Sequence, residues 1–390
     1  MRPKTLNMTQ KMLKVFVSVF LIYLAYYLGR MNLGALIPII REEYGFTNTQ
    51  LGLVAASMYF AYTLSQIPSG YIVDRIGVRH TIAIGCMLIA LGNAAMITWF
   101  FPVLIAAQLL NGFGQSTGWS SLVKYAYNYG GNSRKVLGIL SSSVPAGTFI
   151  AYTLAGSIAE SFGLDFAFLI PSAVMLAVAL IILMRFPTNG GSGSFWDNFT
   201  FLKSKNLLAL SFVQLSILST MNSLFIWLPV LFVDMYAVKT FDAYKLVSIF
   251  PLPGIIGGIA GGYLATRWGD KRTIIVNQSI LLVLVVAIAS LASNITFTIF
   301  YALLLVLSIF FRFGSAALFS LGIKSIGLDM AGRVSGFLNF VGSIGSTAVT
   351  ALIGYIIDNY SLIYVLYLYG AIVAASLILS LFLSEKSPLN

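Results

Sequence analysis

The chain has 390 residues, of which 58% are hydrophobic and only 9% are charged, and its formal net charge is +11. A mean hydropathy of +0.91 is too high for the water-exposed surface of a soluble protein of this length, so the composition excludes a soluble globular domain. It predicts an all-α membrane protein whose helices cross the lipid bilayer several times.

Apolar runs long enough to cross a bilayer recur along the whole chain. About 20 helical residues span the ~30 Å hydrocarbon layer. The first run follows a basic segment and has no cleavage site of small residues, so we expect it to be retained. The sequence predicts twelve transmembrane spans, at 15–40, 50–73, 81–101, 103–126, 136–159, 166–186, 207–233, 244–265, 273–292, 296–322, 334–357 and 361–383.

The first span carries an arginine near its middle, Arg30, after three tyrosines, Tyr23, Tyr26 and Tyr27. A cationic side chain at the centre of a bilayer costs at least ~2.5 kcal/mol, so such residues face a bundle interior or a water-filled pathway. Spacings of three, four and seven residues put Tyr23, Tyr27 and Arg30 on one helical face. We therefore predict a cationic site with aromatic walls on this helix.

A short motif between the second and third spans occurs twice in the chain. Residues 70–79 read GYIVDRIGVR, and residues 262–272 read GYLATRWGDKR, an offset of 192. Phe113-Gly114 likewise matches Phe313-Gly314 at an offset of 200. These repeats predict an N-terminal six-helix half at 1–186, a flexible Gly/Ser-rich linker at 187–206 and a C-terminal six-helix half at 207–390.

The first copy of the motif, Gly-x-x-x-Asp-Arg-x-Gly-x-Arg, resembles the loop motif of the major facilitator superfamily, and the resemblance covers the whole chain. It implies the major facilitator fold and a secondary transporter that works by alternating access. Gly70 would let two helices approach, and Asp74 would form ion pairs with Arg75 and Arg79 that hold one conformation. The alternative is that the basic residues only fix the membrane topology. The predicted conformational latch comprises Gly70, Asp74, Arg75, Gly77, Arg79 and Arg134.

The second copy of the motif has Thr266 where the first has its acid, which predicts a latch in the first half only. Lys124 and Lys324 occupy matched positions at the ends of spans four and ten. They could form part of an inner gate or could merely extend to the interface.

Within this superfamily, the first span and the segment 111–119 of the fourth are similar to the organophosphate/phosphate antiporters and, more loosely, to the organic-anion symporters. The resemblance implies that Arg30, Tyr23 and Tyr27 contact the substrate. The antiporters' second arginine falls on Met221 here, and their second-span lysine falls on Gln66. A doubly charged phosphate ester would lose cationic partners as a result.

Arg312 lies near mid-depth in the tenth span and could supply a second cation from the other half. Two arginines would then grip a small anion between the halves. Alternatively, Arg312 could extend to the interface, cap carbonyl groups or balance a helix dipole. Further candidate substrate contacts, each of which could instead be a packing residue, are Tyr59, Tyr62, Gln115, Trp119 and Asn222.

The basic residues follow the positive-inside rule. With the N-terminus in the cytoplasm, eighteen of the 23 lie at or near the cytoplasmic side. This accounts for the net charge without a nucleic-acid partner. We expect a monomeric multi-pass protein of the cell membrane with both termini in the cytoplasm.

None of the twelve acidic residues lies in the middle of a predicted span, and the only histidine, His80, is in a loop. Cation efflux driven by membrane carboxylates is therefore disfavoured. The sequence has no phosphate-binding Gly-Lys-Ser/Thr loop, no metal-ligand cluster and no nucleophile with a base, so we expect no cofactor, no metal and no enzymatic activity.

Together these features favour a secondary active transporter of a small organic anion. Arg30 would bind the anion, and Arg312 is a second candidate for the same role. A transporter of zwitterionic amino acids or short peptides is the first alternative. The second is a membrane receptor that transports nothing.

Overall fold

The computed structural model describes residues 8–130, 133–187, 204–292, 294–327 and 331–385, and this part of the chain is helical without strands. A short 3-10 turn, Met96–Thr98, precedes α3. The helices are α1 (Met8–Tyr44), α2 (Asn48–Ala95), α3 (Phe101–Gly130), α4 (Ser133–Phe162), α5 (Leu164–Arg185), α6 (Lys205–Tyr236), α7 (Thr240–Ile249), α8 (Pro253–Trp268), α9 (Asp270–Leu291), α10 (Phe297–Phe313), α11 (Ser315–Ile326), α12 (Ala331–Asn359) and α13 (Ile363–Leu381).

The helices account for all twelve predicted spans. α2 contains the second and third spans, α7 and α8 together form the eighth, and α10 and α11 form the tenth. Within the described residues, nine helical segments are long and apolar enough to cross a membrane on length and composition alone. The predicted all-α membrane fold is confirmed.

Two glycines turn the chain between consecutive spans at matched positions of the repeat. Gly77 interrupts α2 at φ 82° and ψ 163°, and Gly269 separates α8 from α9 at φ 85° and ψ 158°. This region of backbone space is open essentially to glycine alone. The repeat seen in the sequence thus has the same backbone conformation in both of its copies.

The chain forms two compact units. One comprises Met1–Asn32 and Leu64–Phe195, and the other comprises Leu33–Thr63 and Trp196–Asn390. The second unit therefore includes the end of α1 and the start of α2. The predicted linker falls largely outside the described residues, and the division into two six-helix halves stays a prediction.

In the second unit, α8 packs closely on α10 through glycines. A Cβ atom added at Gly257 would overlap the carbonyl oxygen of Ile309, whereas one added at Gly258 would only touch the Cβ of Arg312 at 3.9 Å. Helices in membranes associate through such close backbone approaches because lipid supplies no hydrophobic driving force.

Replacing Gly257 by alanine is therefore expected to destabilise the protein by about 2 kcal/mol, because the added methyl group meets backbone that cannot move aside. Gly258→Ala is the matched control, one residue along the same helix, and should cost nothing measurable. Thermal unfolding of both variants in detergent micelles measures the difference. Equal unfolding temperatures would contradict the close packing of α8 on α10.

Candidate substrate site

The predicted cationic face of α1 has an aromatic cluster beside its arginine. The rings of Tyr23 and Tyr27 meet edge to face with centroids 5.4 Å apart. The guanidinium carbon of Arg30 lies 5.7 Å from the ring centroid of Tyr27, within the range of a cation–π contact. The arginine is partly exposed, whereas both tyrosines are buried. The face predicted from residue spacing thus exists in the first unit.

Helices α3 and α4 complete this face. The ring centroid of Trp119 lies 5.7 Å from that of Tyr23. A Cβ atom at Gly118 would lie 2.8 Å from the ring of Tyr26, and one at Gly147 would lie 2.7 Å from the Cβ of Tyr27. Only glycine at these two positions lets α3 and α4 approach the tyrosines so closely.

Two of the predicted contacts direct their polar groups at neighbouring helices instead. Tyr26 is fully buried, and its hydroxyl lies 3.0 Å from Thr117 Oγ1. Gln115 donates to the carbonyl oxygen of Tyr26 at 2.9 Å. In this conformation neither group is available to a substrate, and their roles in binding stay predictions.

The predicted contacts in the second unit have mixed environments. Tyr59 is fully buried and Tyr62 is partly exposed. Asn222 on α6 donates to Ser346 Oγ on α12 at 3.0 Å. Its amide therefore joins two helices, as the packing alternative expects.

Arg312 lies in the last turn of α10, where its charge favourably opposes the helix dipole. Its aliphatic stem packs on α8, because a Cβ atom at Gly254 would lie 3.2 Å from its Cγ. Within the described residues, its guanidinium forms no ion pair with a carboxylate. The dipole alternative and a role in binding are both compatible with this position.

The predicted latch residue Asp74 pairs with a different helix from the one expected. Lys124 Nζ on α3 lies 2.5 Å from Asp74 Oδ1 and 3.2 Å from the carbonyl oxygen of Val73. Arg75 instead donates to the hydroxyl of Tyr71 at 3.3 Å. The expected ion pairs of Asp74 with arginine are thus replaced, in this conformation, by a pair with lysine.

The other latch residues have the following surroundings. The buried Nε of Arg79 has no hydrogen-bond partner among the described residues. A Cβ atom at Gly70 would meet no described atom within 4 Å, so no close helix approach is seen at this glycine among the described residues. Gly77 makes the turn in α2, and the side chain of Arg134 lies outside the described residues.

The second unit has its own lysine–aspartate pair, which the sequence analysis did not predict. Lys324 Nζ lies 2.6 Å from Asp270 Oδ2, and Ser320 donates to the same oxygen at 2.8 Å. The acid lacking at Thr266 is thus supplied four residues later, at the start of α9. The prediction that a latch operates in the first half only stays a prediction, although a comparable ion pair is present in the second unit.

A second polar network joins the end of α1 and the start of α2 to α6 and α12. Arg41 makes two hydrogen bonds to Asp234, at 2.7 Å and 2.5 Å. Asp358 accepts four hydrogen bonds, from the backbone and the side chains of Asn48 and Thr49, and so satisfies donors in the first turn of α2. The partners are far apart in sequence, and spacing gave no signal of them.

Comparison with known proteins agrees with this architecture. The Major Facilitator Superfamily matches residues 19–350. The chain belongs to this family. Relatives include the hexuronate transporter of Bacillus subtilis, 23% identical over 89% of this chain and 88% of that protein, and the glycerol-3-phosphate transporter of the same organism, 23% identical over 90% and 87%.

A solved structure has the same fold. It is a bacterial homologue of the human lysosomal transporter Spinster, in an inward-facing and occupied conformation. The TM-score is 0.79 at 14% identity, over 97% of this chain and 99% of that one. The chain is therefore a multi-pass membrane transport protein and not an enzyme.

Proposed function

We propose that this protein is a secondary active transporter of a small organic anion, and that Arg30 binds the anion. The observation that carries the proposal is a partly exposed arginine whose guanidinium carbon lies 5.7 Å from the ring centroid of Tyr27, on the α1 face that also presents Tyr23 next to Trp119. Cationic side chains within apolar spans usually face a bundle interior or a water-filled pathway, where an anionic substrate can reach them.

The chemistry of this face favours a carboxylate attached to a polyol. Guanidinium forms paired hydrogen bonds with a carboxylate, and aromatic rings offer flat apolar surfaces to the C–H groups of a sugar. The lysine and the second arginine of the antiporters are replaced by Gln66 and Met221. A singly charged sugar acid therefore fits the charge of the site better than a doubly charged phosphate ester. The hexuronate transporter among the relatives supports this preference.

Arg312 is a second candidate contact from the other unit. Within the described part of the chain its guanidinium forms no ion pair, so it could bind a further oxygen of the substrate. Rocking of the two six-helix halves would present each arginine to the anion differently and so give alternating access. The inward-facing conformation of the solved relative is consistent with that mode of transport.

The setting we propose is the cell membrane, with a monomer whose N- and C-termini lie in the cytoplasm. The support is the distribution of basic residues, eighteen of which fall on one side of the predicted topology.

Thermal stabilisation of the purified protein by a panel of compounds tests the substrate class. The panel comprises D-glucuronate, glycerol 3-phosphate, lactate, alanine and dialanine. A compound that binds the native state at a hundredfold excess over its Kd stabilises it by about 2.7 kcal/mol. We expect D-glucuronate to raise the unfolding temperature most. If only alanine or dialanine does so, the zwitterion alternative replaces the proposal. If none of the compounds does so, anion transport loses its support.

A further inference from the structure

Two asparagines hold one carbonyl oxygen of α1 directly before Arg30. Asn111 of α3 donates to the carbonyl oxygen of Gly29 at 2.8 Å, and Asn93 of α2 donates to the same oxygen at 3.1 Å. The two asparagine side chains are 0% and 1% exposed. A backbone carbonyl inside a helix needs no such additional donors, and in lipid-embedded protein a buried amide is retained only where it is satisfied.

Further amides extend this contact along α1. Asn32 donates to Asn93 Oδ1 at 2.7 Å, so the side chain of Asn93 accepts one hydrogen bond from α1 and donates another to it. Gln115 donates to the carbonyl oxygen of Tyr26, one turn before Gly29, at 2.9 Å. We call Asn32, Asn93, Asn111 and Gln115 the amide belt.

The amide belt requires glycine at position 29. A Cβ atom there would lie 2.6 Å from Ile89 Cγ2 and 3.0 Å from Asn93 Nδ2. A larger residue would therefore force the side chains of Ile89 and Asn93 to shift, and a shift of Asn93 would weaken its hydrogen bond to the carbonyl. The glycine next to the arginine has a packing reason that the sequence alone does not reveal.

Asn93 and Asn111 contact α1 at Gly29, which is rotated away from the substrate face. Successive residues of a helix are rotated by about 100°, so Tyr23, Tyr27 and Arg30 fall within about 60° of one another. Gly29 and Asn32 lie more than about 100° away from the centre of that face. The belt can therefore grip α1 without occupying the space in front of the guanidinium.

We propose that Asn93 and Asn111 are positioning residues, which fix the rotation and depth of α1 and thereby aim Arg30 at the substrate. The proposal rests on the proposed function of Arg30. A guanidinium about 6 Å from the helix axis moves by about 2 Å when the helix turns by about 20°. A displacement of this size is enough to break paired hydrogen bonds to a carboxylate.

The test measures how accessible the side chain at position 30 is to a water-soluble reagent, and it needs no substrate. The full chain carries Arg30→Cys, with Cys86→Ala to remove the natural thiol, and the rate of reaction with a sulfonated methanethiosulfonate reagent is measured in membranes. Asn93→Leu and Asn111→Leu keep the branched shape and the number of side-chain heavy atoms but remove the donors. Each is expected to change the rate at least about fivefold. Ser172→Ala is the matched control. It removes a different buried hydrogen bond, which Ser172 donates to the carbonyl oxygen of Ala90 at 2.8 Å, and it should leave the rate within twofold.

A second measurement separates this proposal from the proposed function. With D-glucuronate as the probe, Asn111→Leu should raise the KM about tenfold and leave kcat nearly unchanged, and it should have no further effect when Arg30→Ala is also present. Unchanged thiol rates in both asparagine variants would overturn the positioning role, even if Arg30→Ala abolishes binding. The opposite result is also informative. If the asparagine variants change the thiol rates but Arg30→Ala still binds D-glucuronate fully, the belt does position α1, and the assignment of the anion site to Arg30 is overturned.

Discussion

Replacing Arg30 by alanine is expected to lower the affinity for the transported anion at least about a hundredfold. A guanidinium that forms two charge-assisted hydrogen bonds to a carboxylate contributes about 1.5–3 kcal/mol for each. The neighbouring rings of Tyr23, Tyr27 and Trp119 carry no positive charge that could replace it. Counterflow in proteoliposomes, with the anion that stabilises the wild type most, measures the loss.

Two further variants test whether the loss of affinity is specific to the guanidinium of Arg30. Arg30→Lys keeps the charge but not the planar fork of donors, so we expect it to recover only part of the affinity. Arg312→Ala should cost less than Arg30→Ala, because Arg312 also lies where it stabilises the end of α10. Wild-type affinity in Arg30→Ala would refute the assignment of the anion site to α1.

Loss of the Arg41–Asp234 pair is expected to destabilise the present conformation by about 2 kcal/mol. The two side chains are 24% and 23% exposed, and the pair has two hydrogen bonds, so it is better shielded than an ordinary surface pair. It joins the end of α1 to the end of α6, on the side that the distribution of basic residues predicts to be external. Breaking it would shift the conformational equilibrium about thirtyfold towards separation of these ends.

The measurement is thermal stability together with transport for Arg41→Ala, for Asp234→Ala and for the exchange of Arg41→Asp with Asp234→Arg. The exchange should recover most of the stability that each single variant loses, since it restores the attraction between opposite charges. The matched control is the pair of Lys245 and Asp242, which is 3.4 Å long and about half exposed. Lys245→Ala should cost less than about 0.5 kcal/mol. Equal losses at the two pairs would contradict a special role for Arg41.

The spans could be predicted well because the rule behind them is local. A helix in lipid satisfies its own backbone, so a run of about 20 apolar residues is sufficient evidence for a span. The repeated motif between spans was equally visible in the sequence, whereas the glycine-specific conformation of Gly77 and Gly269 within it came from the structure. The same periodicity placed Tyr23, Tyr27 and Arg30 on one face.

Partners across helices could not be predicted from the same information. Asp74 was expected to pair with arginines in its own loop, yet it lies 2.5 Å from Lys124 on another helix. Asn222 was expected on a cavity wall, and its amide joins α6 to α12. In each case the polar group takes the nearest complementary group in space, and its distance along the chain has no bearing on that choice.

The sequence by itself determined the membrane environment, the twelve spans, the internal repeat and the cationic face of α1, because each depends on composition or on helical periodicity. Only the tertiary structure decided what supports that face: the glycines that admit α3 and α4, and the asparagines that hold the carbonyl oxygen of Gly29. Those contacts depend on which helices lie side by side and at what rotation. Helix packing sets both through the shapes of all the interfaces together, so they cannot be read from any one segment.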